Sequence, residues 1–277
     1  MRFGVTIFST DQSMPVVDVA RAAEERGFDS VWIPEHTHIP TSRRTPPPTG
    51  EDELAEEYKR SVDPLVALAA AASVTTTIHL GTGVLLPAQR EPLVTAKAVA
   101  TLQNLAGGRF ELGVGFGWNE DEMQDHGVEY RSRRAHARDH VLAMQALWSD
   151  DVASYSGEHV SFPPTWSWPK PERPVPVLVG GGAGPKMFAH IAEYGDGWIP
   201  IGGAGLSESI PAFRSAVEDA GRDPDSMRVV PFGSHPSPDK LEHFERIGVT
   251  ECVFRLPSAP ADEVLPVLDE QAALIAR

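Results

Sequence analysis

Short apolar runs alternate along the chain with longer stretches in which apolar residues recur at helical spacing. Residues 2–8 and 28–33 are rich in β-branched and aromatic side chains, which is typical of buried β-strands. Between these runs, a helical apolar pattern begins near residue 16 and continues until Gly27 ends it. The same alternation continues to the end of the chain, with one interruption. This pattern indicates an α/β fold built from repeated strand–helix units.

The alternation predicts a closed barrel. The predicted strands cover residues 2–8, 28–33, 78–86, 110–114, 177–179, 198–201, 228–232 and 251–254. Eight parallel strands, each followed by a helix, predict a (β/α)8 TIM barrel. A doubly wound open sheet is the alternative, but its phosphate-binding loop would follow the first strand, and the turn STDQSM there contains no glycine. We therefore expect one barrel domain over residues 1–277.

The alternation is interrupted after the fourth strand–helix unit. Residues 155–176 contain a hairpin pattern, YSGEHVSF, and then a stretch rich in proline and tryptophan. Because strand and helix patterns resume directly afterwards, we interpret this segment as an insertion in the barrel. A second unusual segment, residues 37–61, follows the second strand and is rich in Pro, Glu and Arg. A loop of this length in a compact domain is typically a lid over a functional site or a disordered excursion.

Composition restricts the possible function classes. A hydrophobic content of 41% and a charged content of 23% are typical of a soluble globular protein with a sizeable core. The net charge of −15 argues against nucleic acid or an anionic membrane as a partner, but it does not exclude an anionic small ligand, which needs only a local basic patch. The single cysteine, Cys252, excludes an intramolecular disulfide and favours a reducing compartment. The chain begins with a strand pattern instead of a signal segment, so we expect a cytoplasmic protein.

The candidate chemistry follows the predicted strands, where an α/β barrel carries its active site. Glu35, His36 and His38 come directly after Pro34, at which the second strand must stop. In GGGAGPKMF, glycines lead into a helix amino terminus near Lys186, which is either an anion site or an ordinary structural turn. The His-x-His pair is an alternative metal site. However, FELGVG and ECVFR lack the lysine, histidine or aspartate that a metal-dependent hydrolase barrel places in its fourth and eighth strands, so we predict no metal.

Several segments match a known family, in the family's own order, between about residue 25 and residue 200. They are GFDSVWIPEH, LGTGVLLPAQREP, LQNLAGGRFELGVGFGW, PKPERPVPVLVGGG and GDGWIP. On these segments the chain resembles the luciferase-like monooxygenase superfamily, specifically its coenzyme F420-dependent oxidoreductase branch. The resemblance implies hydride transfer between the deazaflavin coenzyme F420 and a small organic substrate. It also implies a homodimer formed through helices two and three, which suits the alanine-rich helix pattern at residues 63–75.

The resemblance further implies roles for individual residues. His36 matches the acid–base residue beside the deazaflavin ring, and Glu35 matches a ring or ribityl contact, so both are predicted catalytic residues. Gly83 and Val84 match a bulge at which relatives have a non-prolyl cis peptide behind the ring. Arg133 matches a recurrent position near the cofactor phosphate. The full set of predicted cofactor contacts is Glu35, Gly83, Val84, Phe116, Gly117, Trp118, Asn119, Arg133, Gly181, Gly182, Ala183, Gly184 and Pro185.

One departure from the family pattern concerns the substrate. Sugar-phosphate dehydrogenases of this superfamily carry a glutamate base just after the glycines of the fourth strand, where this chain has Trp118. We therefore expect a more apolar substrate, lying between Trp118, Trp166, Trp168 and Trp198. FMN with molecular oxygen is an alternative to F420, since the two ring systems share their phosphate and ribityl parts. A non-catalytic flavin-binding protein is an alternative from another class.

Overall fold

The computed structural model describes residues 1–46 and 53–276. Within them, nine parallel strands form one sheet and two antiparallel strands form a separate hairpin. The strands are β1 (Arg2–Thr6), β2 (Ser30–Ile33), β3 (His79–Thr82), β4 (Phe110–Val114), β5 (Ala153–Ser156), β6 (Ser161–Thr165), β7 (Val177–Gly180), β8 (Gly197–Ile199), β9 (Arg228–Val229), β10 (Phe232–Ser234) and β11 (Glu251–Arg255). Every predicted strand is present, although several are shorter than the sequence pattern indicates.

The sheet closes into a barrel through a strand that is broken at Pro231. β9 pairs with β8, β10 pairs with β11, and both pieces arise from the strand predicted at residues 228–232. Pro231 has no N–H to donate, so the regular ladder stops there, and the register shifts between β10 and β11. The carbonyl of Pro231 still accepts from the Val253 N–H at 3.0 Å, which keeps the two pieces in line. The predicted (β/α)8 barrel is confirmed.

Helices cover the outer face of the sheet. They are α1 (Val16–Glu25), α2 (Pro64–Ala72), α3 (Pro92–Leu105), α4 (Glu120–Asp125), α5 (Arg133–Ser149), α6 (Pro185–Tyr194), α7 (Leu206–Asp219), α8 (Pro238–Arg246) and α9 (Ala261–Ile275). α2 begins where the sequence predicts because Asp63 accepts a hydrogen bond from the Val66 N–H at 3.0 Å. The sequence pattern does not predict α4, a short and mostly acidic helix that follows β4. No helix in the described ranges is long and apolar enough to cross a membrane.

A hairpin lies between α5 and β7, in the region of the predicted insertion. β5 and β6 are antiparallel, and the hairpin that they form is attached to α5 through Asp139. Its carboxylate accepts from the Tyr155 hydroxyl at 3.0 Å and from the His159 N–H at 2.8 Å. The chain that follows β6 runs along α3, where the Gln103 side chain donates to the Pro174 carbonyl at 2.9 Å. The hairpin and its exit segment therefore lie on the outside of the helical layer.

Two apolar layers hold the barrel together, one between sheet and helices and one inside the barrel. The inner layer consists of Trp32, Leu178, Ile199, Val230 and Val253. Gly81 makes room for the largest of these side chains, because a Cβ at Gly81 would lie 2.2 Å from the Trp32 ring. Burying a large apolar side chain stabilises a fold by roughly 1.5–3 kcal/mol. The filled interior separates the two ends of the barrel, so each end has its own chemistry.

The amino-terminal end of the barrel carries a buried ionic network. Arg228 donates to Glu111 at 2.7 Å and to Glu251 at 2.5 Å, and Arg2 contacts the same two carboxylates. Burial alone would raise the pKa of Glu111, but His79, Arg228 and Arg2 lower it to about 2. Each carboxylate therefore faces two guanidinium groups. Such fully paired charges at the amino-terminal end indicate a role in stability.

Candidate active site

The carboxyl ends of the strands form a mouth, and the first predicted site residues lie there. β2 ends at Ile33, and Pro34 then places Glu35 and His36 directly behind the strand. Both residues are buried, with only 3% of Glu35 and 9% of His36 exposed. Because buried polar groups are almost always hydrogen-bonded, the partners of these two side chains define the site.

Glu35 holds the turn that follows β3. Its carboxylate accepts from the Leu86 N–H and from the Nε of Arg90, each at 2.6 Å. Arg90 also donates to Asp63, at the start of α2, at 2.5 Å. Burial raises the pKa of Glu35 above its usual range, and the adjacent Arg90 opposes this rise. Both oxygens of Glu35 are engaged in positioning the turn, and its direct contact with a cofactor stays a prediction.

His36 lies between a carboxylate and an indole. Its Nδ1 is 2.7 Å from Oε2 of Glu122, and its Nε2 is 3.3 Å from the indole nitrogen of Trp118. An indole N–H can only donate, so Nε2 is the unprotonated nitrogen and the Nδ1–H donates to Glu122. The other oxygen of Glu122 accepts from the Thr37 N–H at 3.1 Å. His36 therefore presents a lone pair on the side of Trp118.

Aromatic rings enclose the His36 imidazole. The ring centroid of Tyr58 lies 5.4 Å from that of His36, and the ring centroid of Trp118 lies 5.7 Å from it. Tyr58 and Trp118 are themselves nearly perpendicular, with centroids 6.1 Å apart. Tyr58 belongs to the far limb of the segment 37–61, which is thus brought back over the mouth. These rings give the site apolar walls on two sides of the imidazole.

Both described limbs of this segment are attached to the barrel. On the near limb, the backbone N–H of Arg44 donates to Asp121 of α4 at 2.6 Å. On the far limb, Glu57 accepts from Arg255, at the end of β11, at 2.6 Å. The middle of the predicted lid or excursion, residues 47–52, lies outside the described residues. The described limbs therefore cover the side of the mouth that holds His36.

The turn after β3 brings a small apolar side chain to the mouth. The Gly83–Val84 peptide bond is cis, as the resemblance implies. A Cβ added to Gly115 would lie 2.4 Å from the Val84 side chain, and one added to Gly180 would lie 2.8 Å from it. On the other side, Phe232 would lie 2.2 Å from a Cβ on Gly83. These glycines, at the ends of neighbouring strands, make the space that Val84 occupies.

Two arginines at the start of α5 lie near the loop that follows β4. Arg133 stacks on the ring of Tyr130 at 3.7 Å and donates to the Tyr130 carbonyl at 2.8 Å. The Arg134 guanidinium lies 4.7 Å from the centre of the Phe116 ring, which also contacts His190. Burial and the neighbouring Arg133 lower the pKa of Arg134. Neither arginine has a carboxylate partner in the described part of the chain, but Arg133 is engaged by Tyr130 and Arg134 makes no hydrogen bond there, so Arg134 has more donors available for an anion.

The glycine loop at residues 181–185 is open. A Cβ added to Gly182 or Gly184 would meet nothing within 4 Å, and Lys186 is exposed. The loop is anchored at its start by Trp198, whose indole N–H donates to the Gly181 carbonyl at 2.8 Å. No side chain of the described residues caps the first turn of α6. Its free N–H groups therefore suit the predicted anion site.

Two buried amide side chains near Gly117 have polar atoms without a partner among the described residues. Both polar atoms of the Gln89 side chain, and Nδ2 of Asn119, have no hydrogen-bond partner among the described residues. Nε2 of Gln89 lies 3.8 Å from the position that a Cβ would take on Gly117. An unsatisfied buried polar group costs about 1–3 kcal/mol. The neighbourhood of Gly117 therefore favours a bound group with hydrogen-bonding atoms.

The tryptophans do not gather at the mouth. Trp198 is 1% exposed and lies in the layer between sheet and helices. Trp166 and Trp168 lie on the outside of the molecule, 79% and 55% exposed. The predicted substrate site between four tryptophans is therefore wrong, and Trp118 alone of the four contacts His36. A count of aromatic residues carries no information on which side of the barrel each one faces.

The two histidines of the His-x-His pair have different partners. His38 is exposed, and its Nε2 lies 3.1 Å from Asp125, whereas His36 is buried against Glu122. Within residues 1–46 and 53–276, no group of three or more His, Cys, Asp or Glu side chains is arranged to hold a metal ion. The alternative metal site therefore gains no support from the arrangement of these side chains.

The sequence patterns do not identify three residues that the fold brings to the mouth. They are Tyr58, Arg90 and Glu122. Glu122 follows Asn119 by three residues, the spacing of a helix N-cap and its partner, and this signal could have located α4. For Tyr58 and Arg90, the sequence holds no comparable local signal.

Known proteins resemble this chain over most of its length. A family model for luciferase-like monooxygenases matches residues 1–240. An uncharacterised protein of Mycobacterium tuberculosis is 41% identical over 280 residues, which cover 100% of this chain and 99% of the relative. An F420-dependent glucose-6-phosphate dehydrogenase of Kineococcus radiotolerans is 36% identical over 223 residues, which cover 77% of this chain and 62% of the dehydrogenase.

Solved structures share the fold across nearly the whole chain. An F420-dependent secondary alcohol dehydrogenase in complex with an F420–acetone adduct has a TM-score of 0.80 at 20% identity, covering 99% of this chain and 98% of its own. Monooxygenase RslO1 from Streptomyces bottropensis has a TM-score of 0.78 at 19% identity, with the same coverage of 99% and 98%. These two similarities concern the fold alone. Since the family model extends over residues 1–240 of 277, the chain belongs to the luciferase-like monooxygenase family.

Proposed function

We propose that this protein is an oxidoreductase that transfers hydride between coenzyme F420 and a small organic substrate. The observation that carries the proposal is that His36 and the turn after β3, which holds Val84, share one mouth. Glu35 hydrogen-bonds Leu86, so the residue next to His36 is tied directly to the turn that holds Gly83 and Val84. The 36% identity with an F420-dependent dehydrogenase supports the choice of cofactor.

The residues at the mouth fit a cofactor with a flat ring and an anionic chain. Arg134 and the free N–H groups at the start of α6 supply positive potential for a phosphate. Gln89 and Asn119 supply buried amide groups that need partners. Gly117, at φ +71, allows the backbone a conformation in which a ligand can approach closely. These features would also fit FMN, which is why binding has to be measured for both cofactors.

The protein's own residues would position the reactants and move a proton. When bound, the coenzyme supplies a ring carbon that accepts or donates hydride. The Nε2 lone pair of His36 is the group that takes a proton from the substrate in one direction and returns it in the other. Tyr58 and Trp118 shield the imidazole from water, which strengthens its polar interactions. Glu35 contributes by holding the turn after β3 in place.

We propose that the substrate is small and uncharged. Trp118 stands where related sugar-phosphate dehydrogenases carry a glutamate base, and with Tyr58 it provides apolar walls. The indole N–H of Trp118 and Nε2 of His36 form a donor–acceptor pair 3.3 Å apart. A hydroxyl group complements such a pair, since it can accept from one member and donate to the other.

Titration of the purified protein with F420 and, separately, with FMN tests the proposal. We expect saturable quenching of F420 fluorescence and much weaker binding of FMN. Arg134→Ala should weaken F420 binding roughly 10–100-fold, because it removes a charge-assisted hydrogen bond. Arg131→Ala, an exposed arginine just before α5, is the matched control and should leave the affinity unchanged.

The other outcomes separate the alternatives. Tight binding of FMN with weak binding of F420 would replace the proposal by an FMN-dependent monooxygenase; RslO1, which shares the fold, is named as a monooxygenase. Absence of binding by both would overturn the cofactor assignment. If F420 binds but no alcohol, aldehyde or ketone in a broad panel changes its absorbance, a non-catalytic role becomes the better explanation.

We also propose that two copies of the chain associate through α2 and α3. Val66 on α2 is 71% exposed, and Val94 and Leu105 on α3 are 68% and 63% exposed. Apolar side chains grouped on two adjacent helices are typical of an interface. Light scattering should report a dimer for the natural chain and a monomer for the Val66→Glu, Val94→Glu double variant. A monomeric natural chain would overturn this proposal.

A further inference from the structure

We infer that Glu122 is a positioning residue that fixes the tautomer of His36. Its carboxylate keeps the proton on Nδ1, so that Nε2 is the nitrogen available for proton transfer. The catalytic meaning of this arrangement rests on the proposed function. The arrangement itself depends only on Glu122, His36 and their neighbours, and it can be tested without any cofactor.

The burial of Glu122 is the first reason. Its residue exposure is 0%, and its two oxygens accept from His36 and from the Thr37 backbone. Among the described residues, neither an arginine nor a lysine contacts this carboxylate. A buried carboxylate without a permanent cation depends strongly on its N–H donors. The imidazole N–H, at 2.7 Å from Oε2, is therefore part of what keeps Glu122 in place.

The second reason is that Glu122 is itself held rigidly. It lies in the first turn of α4, and its backbone N–H donates to the side chain of Asn119. The next residue, Met123, is 0% exposed and packs in the core. The near limb of the segment 37–61 adds a further contact to the same helix, because the backbone N–H of Arg44 donates to Asp121. A rigid carboxylate can hold the imidazole in one orientation.

The third reason is that two partners select the same tautomer from opposite sides of the ring. Glu122 can only accept at Nδ1, and Trp118 can only donate at Nε2. With the proton on Nε2, the ring would aim a donor at the indole N–H and would leave Glu122 without its bond. When a substrate hydroxyl displaces the indole, Glu122 would still hold the proton on Nδ1.

Nitrogen-15 NMR of the cofactor-free protein tests the inference directly. The chemical shifts of the two ring nitrogens of a neutral imidazole show which one carries the proton. A His36→Gln variant identifies the signals of this residue. In the natural chain we expect the Nδ1–H form to dominate. A natural chain with its proton on Nε2 would overturn the inference, whatever any variant does.

Glu122→Gln is the decisive variant. Glutamine has one acceptor oxygen where glutamate has two, so it cannot satisfy both His36 and Thr37. We expect the ratio of Nδ1–H to Nε2–H to fall roughly tenfold or more, as for loss of a charge-assisted hydrogen bond. Asp125→Asn is the matched control, because its carboxylate lies on the same helix but contacts exposed His38. An unchanged ratio in a folded Glu122→Gln protein would overturn the inference.

The same samples separate this inference from the proposed function. If the natural chain has the Nδ1–H tautomer but does not bind F420, the cofactor assignment fails and the role of Glu122 as a positioning residue stands. If F420 binds and the proton lies on Nε2, the cofactor assignment stands and the role of Glu122 as a positioning residue fails. A thermal melt of each variant shows whether the tautomer was measured in a folded protein.

Discussion

The two ends of the barrel both bury carboxylates, but they pair them with different partners. At the amino-terminal end, Glu111 and Glu251 share Arg228, whose charge is permanent. At the carboxyl end, Glu122 faces Nδ1 of the His36 imidazole, one of two ring nitrogens that can carry the proton. A carboxylate held by arginines is fixed in charge and position. A carboxylate that accepts from an imidazole selects which ring nitrogen carries the proton.

The carboxyl end also contains one carboxylate of the first kind. Glu35 is paired with Arg90, and this pair resembles the network at the opposite end more than it resembles its neighbour His36. Adjacency in sequence therefore does not imply a shared role. The partner of a buried carboxylate is the better guide to its role. By this criterion Glu35 positions the turn after β3, and Glu122 determines where the proton of His36 lies.

The largest loss of stability should come from a substitution at the amino-terminal end of the barrel. Glu251 is 0% exposed, and Glu251→Gln leaves Arg228 and Arg2 with too little negative charge. We expect the free energy of unfolding to fall by roughly 3–5 kcal/mol, the usual cost of breaking a buried ion pair. Chemical denaturation measures this change, with Glu218→Gln on the surface of α7 as a control that should leave stability unchanged. A Glu251 variant with normal stability but lost F420 binding would contradict the division between the two ends.

Acid should weaken the same network. The pKa of Glu111 is lowered from 4.5 to about 2, so the unfolded chain binds the proton more readily than the folded chain. Glu111 therefore stabilises the fold above its unfolded pKa, and this contribution is lost as the pH falls from 4.5 towards 2. Glu111→Gln should lower stability near neutral pH by at most about 3 kcal/mol and flatten its acid dependence. Denaturation at a series of pH values measures both effects, and equal acid slopes in the two proteins would contradict the assignment.

A smaller loss of stability is expected from Glu35→Gln, at the carboxyl end of the barrel. The variant keeps an acceptor for Leu86 but loses the charge that faces Arg90, so stability should fall by about 1–3 kcal/mol. Because the turn after β3 is then held less firmly, F420 affinity should fall as well. Asp63→Asn removes charge from the other partner of Arg90 and leaves Glu35 unchanged. Equal losses of F420 affinity in the two variants would show that the turn is not the element that matters.

The fold was largely predictable from local patterns. Alternating strands and helices are encoded over a few residues each, and eight repeats leave few architectures open. The errors have local causes. The strand predicted at residues 228–232 is split because Pro231 lacks an N–H. The helix α4 was not predicted because its six residues, EDEMQD, show no apolar period.

The site was predictable only in part. His36, Gly83 and Val84 follow strands directly, so the architecture alone assigns them to the mouth. Their partners cannot be found in this way, because Glu122 lies 86 residues from His36 and Arg90 lies 55 residues from Glu35. Such pairs depend on the closed barrel, which brings the ends of distant strands together. The prediction that four tryptophans surround the substrate is wrong for a similar reason, because the sequence does not show which side of the barrel each side chain faces.

The attachment of the segment 37–61 has a consequence for the response to salt. Ion pairs hold its limbs to the mouth, Arg44 to Asp121 on one side and Arg255 to Glu57 on the other. Dissolved ions screen exposed pairs over about 8 Å at physiological ionic strength, so added salt weakens the attachment of these two limbs. The same ions would weaken the attraction of the proposed anionic cofactor to Arg134. Added salt should therefore act on the proposed site twice, through the attached limbs and through the arginine.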